Sequence, residues 1–287
     1  MNTFQGALSR GAFTVTAELI HAARANPADA IRWAGELADH TDGIQLAENS
    51  QSDAATSTTA LAALLLREGI DATPTLTCRD RNRIALQSEL LGLKAIGVSS
   101  LVLNRGSTLA ANRTEFASNV FDIDGRELIA MAHEIDESQW MPGTDACVPL
   151  DNSRWDAAPL LDRALAGARF LRLQPCLDLG LLRNHMARLV DDKVTWHFSV
   201  IVSIAPLPAA ETAGWLLENI PGAVVPDNLV NRLESSSDPE REGVEICAEM
   251  IREVSAIPGV SGINLVCQDD PSAVIASLQS AGLRPER

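Results

Sequence analysis

Hydrophobic and polar positions along this chain fall into short β-prone runs that alternate with stretches of helical spacing. Residues 13–20 alternate apolar and β-prone side chains and predict a first strand, with Glu18 near its C-terminal end. Residues 27–37 predict a helix capped by Asn26, with Pro27 in its first turn. A second strand is expected over 43–47, then a polar loop over 48–53 and a helix over 60–67 that Gly69 ends. The stretch 72–107 is the most regular and reads strand, helix, strand. Residues 73–78 are β-prone, and Asp80 or Asn82 caps a helix with apolar positions at Ile84, Leu86, Leu90, Leu91, Leu93 and Ile96. Gly97 stops that helix, and 101–103 is the fourth strand.

Residues 107–124 read as a long loop or broken helix, 126–135 as a helix, and 144–150 as strand five. Helices over 155–166, 177–189 and 208–217 flank strands six and seven, over 169–173 and 195–203. A short helix at 226–233 precedes a long one that Asp238 and Pro239 open and that runs to Val254. Strand eight covers 260–267 and a closing helix 271–281. Eight strands alternating with helices predict a (β/α)8 TIM barrel, a single domain over residues 1–287, which is a fold of about 250 residues. The runner-up is an open doubly wound sheet, but no strand is followed by a GxGxxG or a P-loop.

Composition narrows the function. The net charge is −15, which argues against general nucleic-acid binding because displacing counterions needs a basic surface. A small anionic ligand met by a local arginine cluster remains compatible with that charge. Cys78, Cys147, Cys176, Cys247 and Cys267 are scattered without a CxxC pair, so zinc and redox chemistry are not indicated and a reducing cytoplasm is the expected location. No leader pattern opens the chain, and the longest apolar run, 61–66, is too short to span a membrane. Homo-oligomer formation is left open.

In a barrel the active site lies at the C-terminal ends of the strands. The polar groups expected there are Glu18, Gln45, Glu48, Asn49, Thr75, Thr77, Arg79, Asp80, Asn104, Arg105, Ser107, Asp151, Asn152, Gln174 and Ser203. A carboxylate at the end of an apolar strand is costly unless it faces the barrel mouth, which makes Glu18 the leading candidate. Gln174 directly follows strand six, and its amide donates and accepts at once. Arg79, Arg81 and Arg83 form a basic cluster suited to a carboxylate tail or a nucleotide phosphate; the plainer explanation is surface charge balanced by Asp71 and Asp80. His21 lies close enough in sequence to tune Glu18, whereas His40, His133, His185 and His197 show no metal-ligand spacing.

Leu76-Thr-Cys-Arg-Asp80 followed by Leu86-Gln-Ser-Glu-Leu-Leu-Gly92 resembles the 5,10-methylenetetrahydrofolate reductase family. Arg105-Gly106 falls where that family has its strand-four loop, and the similarity runs over residues 13–285. The resemblance implies reduction of methylenetetrahydrofolate in one-carbon metabolism, the supply line of methionine biosynthesis. It implies Glu18 as the catalytic acid and Gln174 as the partner of the pterin amide edge. Ser107 and Thr75 fall on its substrate side, and Arg105, Asn104 and Arg79 on its cofactor side.

Several flavin contacts of that family are missing. The histidine usual before Leu-Thr-Cys is Thr75, and the aspartate usual after Arg-Gly is Ser107. The segment that usually reads tyrosine, proline, glutamate and, two further on, histidine is Val148-Pro149-Leu150-Asp151-Asn152, and the chain contains no tyrosine. Each lost contact costs about 1–3 kcal/mol, so FAD binding is not expected. The expected hydride donor is NADH, with NADPH the alternative, acting directly as in the family's short flavin-independent branch. Two other readings stand beside this one: an FAD-dependent reductase, and a non-reducing folate-binding barrel that partners a methyltransferase.

Overall fold

Eight parallel strands close into a barrel in sequence order in the computed structural model, which describes residues 3–20, 26–48, 54–109, 117–137, 139–151, 155–268 and 270–283. His21, Asn49 and Asn152 lie outside the described residues, as does part of the expected loop at 107–124. The strands are β1 (Thr14–Leu19), β2 (Gly43–Leu46), β3 (Ala72–Thr77), β4 (Ser100–Asn104), β5 (Met141–Ala146), β6 (Phe170–Leu173), β7 (Ser199–Ile204) and β8 (Val260–Cys267). The helices are α1 (Phe4–Ser9), α2 (Pro27–Ala38), α3 (Thr58–Arg67), α4 (Arg83–Ile96), α5 (Gly125–Ile135), α6 (Ala158–Leu165), α7 (Leu179–Asp191), α8 (Ala210–Asn219), α9 (Asp227–Glu234), α10 (Pro239–Ser255) and α11 (Ser272–Ala281). Closure through β1 and β8, with Thr16 opposite Asn264 and Glu18 opposite Val266, rules out the open sheet.

Local chemistry explains most boundaries. Asn82 caps α4 by accepting from Ala85 N, and Gly97 ends it in the left-handed conformation at φ 85°. Of the six apolar positions expected to seat this helix, Leu86, Leu90 and Leu93 do so, whereas Ile84 and Leu91 face solvent at 75% and 52% exposure. The stripe toward the barrel is therefore narrower than the apolar composition suggests.

Three expectations need correction. Strand five is Met141–Ala146 and not 144–150. Its Met-Pro-Gly start carries two residues that strands disfavour, which displaced the expected strand toward Val148. Gly143 is required there because a Cβ would lie 2.2 Å from Cζ of Phe170 inside the barrel. Strand seven begins at Ser199, four residues late, because Val194–Trp196 forms a 3-10 turn. The chain also opens with α1, an unexpected helix capped by Thr3.

That helix closes one end of the barrel. Phe4 packs edge-on against Phe170 with ring centroids 5.0 Å apart, and with Leu8, Val102 and Ile201 they form an apolar plug separate from the main core. Phe4 N donates to Oδ2 of Asp71, just before β3, at 2.9 Å. The main core lies between the strands and the surrounding helices. Among the described residues no helix is long and apolar enough to cross a membrane.

Candidate active site

The other end of the barrel interior is polar. Successive side chains of a strand alternate faces, so Thr14, Thr16 and Glu18 share the inward face of β1. Arg172 occupies the inward face of β6, two residues after the plug residue Phe170 and two before Gln174. The guanidinium of Arg172 organises the whole layer. Its Nε and Nη2 donate to Oδ1 and Oδ2 of Asp145, both at 2.8 Å. Its Nη1 donates to Oε1 of Glu18 at 2.6 Å and to Oε1 of Gln45 at 2.7 Å.

The neighbours complete this network. Asn264 on β8 donates from Nδ2 to Oε2 of Glu18 at 3.0 Å and to Oγ of Ser203 at 3.2 Å. Thr16 donates to Oδ1 of Asn264 at 3.0 Å and accepts from Nε2 of Gln45 at 2.9 Å. Asn104 at the end of β4 donates to Oδ2 of Asp145 at 2.8 Å and accepts from Asp145 N at 2.9 Å. Arg163 on α6 donates to the carbonyl of Asp145 at 2.9 Å. Buried charges are tolerated when every partner is supplied, and here β1, β2, β4, β5, β6 and β8 supply them.

The electrostatics distinguish the two acids. Glu18 is only 7% exposed, and burial pushes its carboxyl above the usual glutamate range. The nearby Arg172 opposes that rise, while Asp145 adds to it. One guanidinium serves two carboxylates, so the fully ionised triad would hold a net negative charge in a largely buried site. A proton on Glu18 relieves that excess.

Above this layer opens a cavity of about 550 Å³, within the range of small-molecule sites. Glu18, Thr75, Arg79, Asn104, Arg105, Ser107 and Gln174, the seven residues singled out by sequence for chemistry, all line it. Gln174 anchors its backbone N–H on the carbonyl of Ala146 at 2.8 Å and is half-buried. Thr75 is buried, and its Oγ1 is fully enclosed without a hydrogen-bond partner among the described residues. Ser107 is exposed on the loop after β4. Arg105 is exposed as well, with its guanidinium 3.9 Å from the centre of the Phe121 ring.

The expected arginine cluster disperses. Arg79 is buried and pairs with Asp80 through two bonds of 2.7 Å, Arg81 pairs with Glu48, and Arg83 pairs with Glu127. Asp71 balances none of them, because it sits at the opposite end of β3 against Phe4. Asp151 is exposed in the loop beyond β5, so the strand-five carboxylate at the mouth is Asp145 instead. Gln45 and Ser203 lie within the polar network, and Glu48 and Thr77 line the cavity.

Arg172, Asp145 and Asn264 were not anticipated. A period-two reading could have found Arg172, since it shares a face with Gln174 between two leucines. Asp145 was lost with the boundary of strand five. Asn264, a lone amide in a β-branched run, carried no signal of its own. Among the described residues no group of His, Cys, Asp or Glu is arranged to hold a metal, and four of the five cysteines are buried, with Cys147 exposed.

Comparison with known proteins bears on the family and the fold. The family model for methylenetetrahydrofolate reductase matches residues 5–282. No curated protein sequence matches the chain. Among solved structures, an uncharacterized protein from Clostridium thermocellum that binds two copies of 5-methyl-5,6,7,8-tetrahydrofolic acid superimposes with a TM-score of 0.69 at 13% identity, covering 96% of each chain. A 2,3-dimethylmalate lyase of the PEP mutase/isocitrate lyase superfamily superimposes with a TM-score of 0.52 at 12% identity, covering 98% of this chain and 85% of the other. At such identities these two likenesses concern the fold alone.

Proposed function

The chain belongs to the methylenetetrahydrofolate reductase family, and from that premise we propose that it reduces 5,10-methylenetetrahydrofolate to 5-methyltetrahydrofolate with hydride taken directly from NADH. The observation that carries this reading is Glu18, a buried carboxyl with raised proton affinity at the floor of an open cavity. The substrate holds its one-carbon unit in a five-membered ring between N5 and N10. A proton from Glu18 to N10 breaks the methylene–N10 bond and leaves an iminium at N5. NADH supplies the hydride that adds to the methylene carbon. The resulting Glu18 carboxylate is held by Arg172 Nη1 and Asn264 Nδ2 until solvent returns the proton.

Gln174, on the cavity wall, would take the amide edge of the pterin through paired donor and acceptor bonds. Thr75 and Ser107 belong to that wall too, and Asn104, Arg79 and Arg105 are the groups proposed to meet the dinucleotide. Arg105 and Arg163 have no carboxylate partner among the described residues, which suits an anionic ligand. The Clostridium thermocellum protein of the same fold binds the methylated folate that this reaction would release.

The residues present do not fit a tightly bound flavin. Where the family has a histidine and an aspartate toward the flavin, this chain offers Thr75, whose hydroxyl is enclosed, and the short, exposed Ser107. This supports direct transfer of hydride from NADH to the folate. The test is NADH oxidation by purified protein of measured flavin content. Colourless protein that oxidises NADH only with methylenetetrahydrofolate is expected. Stoichiometric FAD would favour the FAD-dependent reductase, and folate binding without oxidation would favour the non-reducing barrel.

A further inference from the structure

We propose that Asp145 governs the proton on Glu18 through the guanidinium they share, as a positioning residue of the reaction. This deepens, and rests on, the reading of Glu18 as the acid. The fork of Arg172 is divided unequally. Its Nε/Nη2 edge makes the bidentate pair with Asp145, the stronger geometry, and only Nη1 reaches Glu18, shared with the neutral Gln45. Asn104 clamps Asp145 from β4, and Arg163 holds the carbonyl of Asp145 from α6, so the division is built into the strands.

The consequence is chemical. An arginine devoted to Glu18 alone would keep it ionised and unable to donate. With its charge largely answered by Asp145, Arg172 leaves Glu18 able to hold a proton, yet still stabilises the carboxylate left after donation to N10. The charged groups acting on Glu18 are Arg172 on β6 and Asp145 on β5; its partners from β1's two neighbours, Gln45 on β2 through Arg172 and Asn264 on β8, are neutral. Glu48 and Arg79 line the same cavity but are paired with Arg81 and Asp80.

The test is Asp145→Asn, which keeps the shape and removes the competing charge. Protein carrying ¹³C-labelled glutamate carboxyls, with the Glu18 resonance identified by its loss in Glu18→Gln, reports the Glu18 midpoint without substrate. That midpoint should fall by at least about one pH unit. The descending limb of kcat against pH should move down with it. Asp145→Glu should restore the wild-type midpoint. If Asp145→Asn does not fold, Asp145→Ser carries the same expectation. A midpoint unchanged in a folded variant, with kcat lowered evenly at all pH values, would make Asp145 a strut and overturn the proposal. Wild-type protein that oxidises no NADH with methylenetetrahydrofolate would instead sink the reductase reading, and the carboxyl titration would still decide the coupling.

Discussion

The two ends of the barrel interior each bury a carboxylate, and they treat it in opposite ways. At the closed end Asp71 accepts from Phe4 N at 2.9 Å and from Ser99 at 3.5 Å, beside a plug of aromatic and aliphatic side chains with no cation among its hydrogen-bond donors. At the open end Glu18 meets Arg172, Asn264 and a second carboxylate at the floor of a cavity. Burial raises the proton affinity of both. Only Glu18 has an open route to a ligand and a cation to receive the charge it leaves behind. Burial alone therefore does not suit a carboxyl to proton donation; access and a partner for the conjugate base are needed as well.

Removing the acid at the open end should have the largest effect on activity. Glu18→Gln keeps the shape but cannot donate, so reductase turnover is expected to fall by about 10²–10⁴-fold with the melting temperature nearly unchanged. Turnover and melting measured on one sample check this. Near wild-type turnover in folded Glu18→Gln would assign the proton to another source and erase the contrast between the ends.

At the closed end the expected loss is in stability. Phe4→Ala opens a void against Phe170 and should cost about 3–5 kcal/mol in denaturant unfolding. The kcat of the molecules that remain folded should match wild type. A selective loss of kcat would mean that the plug shapes the mouth as well.

Gln174→Ala tests recognition rather than proton transfer. A pterin edge left without its bidentate partner should cost about 1–3 kcal/mol, or roughly tenfold to a hundredfold in kcat/KM for methylenetetrahydrofolate, with NADH binding little affected. An unaltered kcat/KM would leave Gln174 as an ordinary loop residue.

The effect confined to stability and to a pH window belongs to Asp71, whose carboxyl burial pushes up to about 6 from an ordinary 3.8. Because the folded-state value is raised, the folded protein holds this proton more tightly than the unfolded chain. The stability linked to it is complete below the unfolded value and is lost as pH rises through about 6. Between about pH 4 and pH 7 the wild type should lose up to about 3 kcal/mol relative to Asp71→Asn, with turnover untouched. Parallel unfolding curves for the two proteins across that range would show that Asp71 carries no such linkage.

Much of the architecture was legible locally. The caps Asn26, Asn82 and Asp238, the terminator Gly97 and the β-branched strand Val260–Cys267 are decided by neighbours a few residues away, and they fall where the pattern predicts. Strand five was not legible, because Pro142 and Gly143 look like a turn until Phe170 explains why only glycine fits. The helix over Phe4–Ser9 escaped for a related reason: its apolar face has meaning only against the barrel end it plugs.

By itself, the sequence determined the alternation of strand and helix, hence the eight-fold barrel, and it placed Glu18 and Gln174 at strand ends, where a barrel puts its chemistry. Period-two and period-3.6 patterns are local and survive any error in long-range arrangement. Only the tertiary structure decided what Glu18 is. Its partners Arg172 and Asn264 lie 154 and 246 residues away in sequence, and Asp145 is joined to it by hydrogen bonds through Arg172. Nothing in the spacing of those residues announces the contact. It arises when the sheet closes on itself and brings inward faces from β1, β5, β6 and β8 into one polar layer, where a single guanidinium must serve two carboxylates.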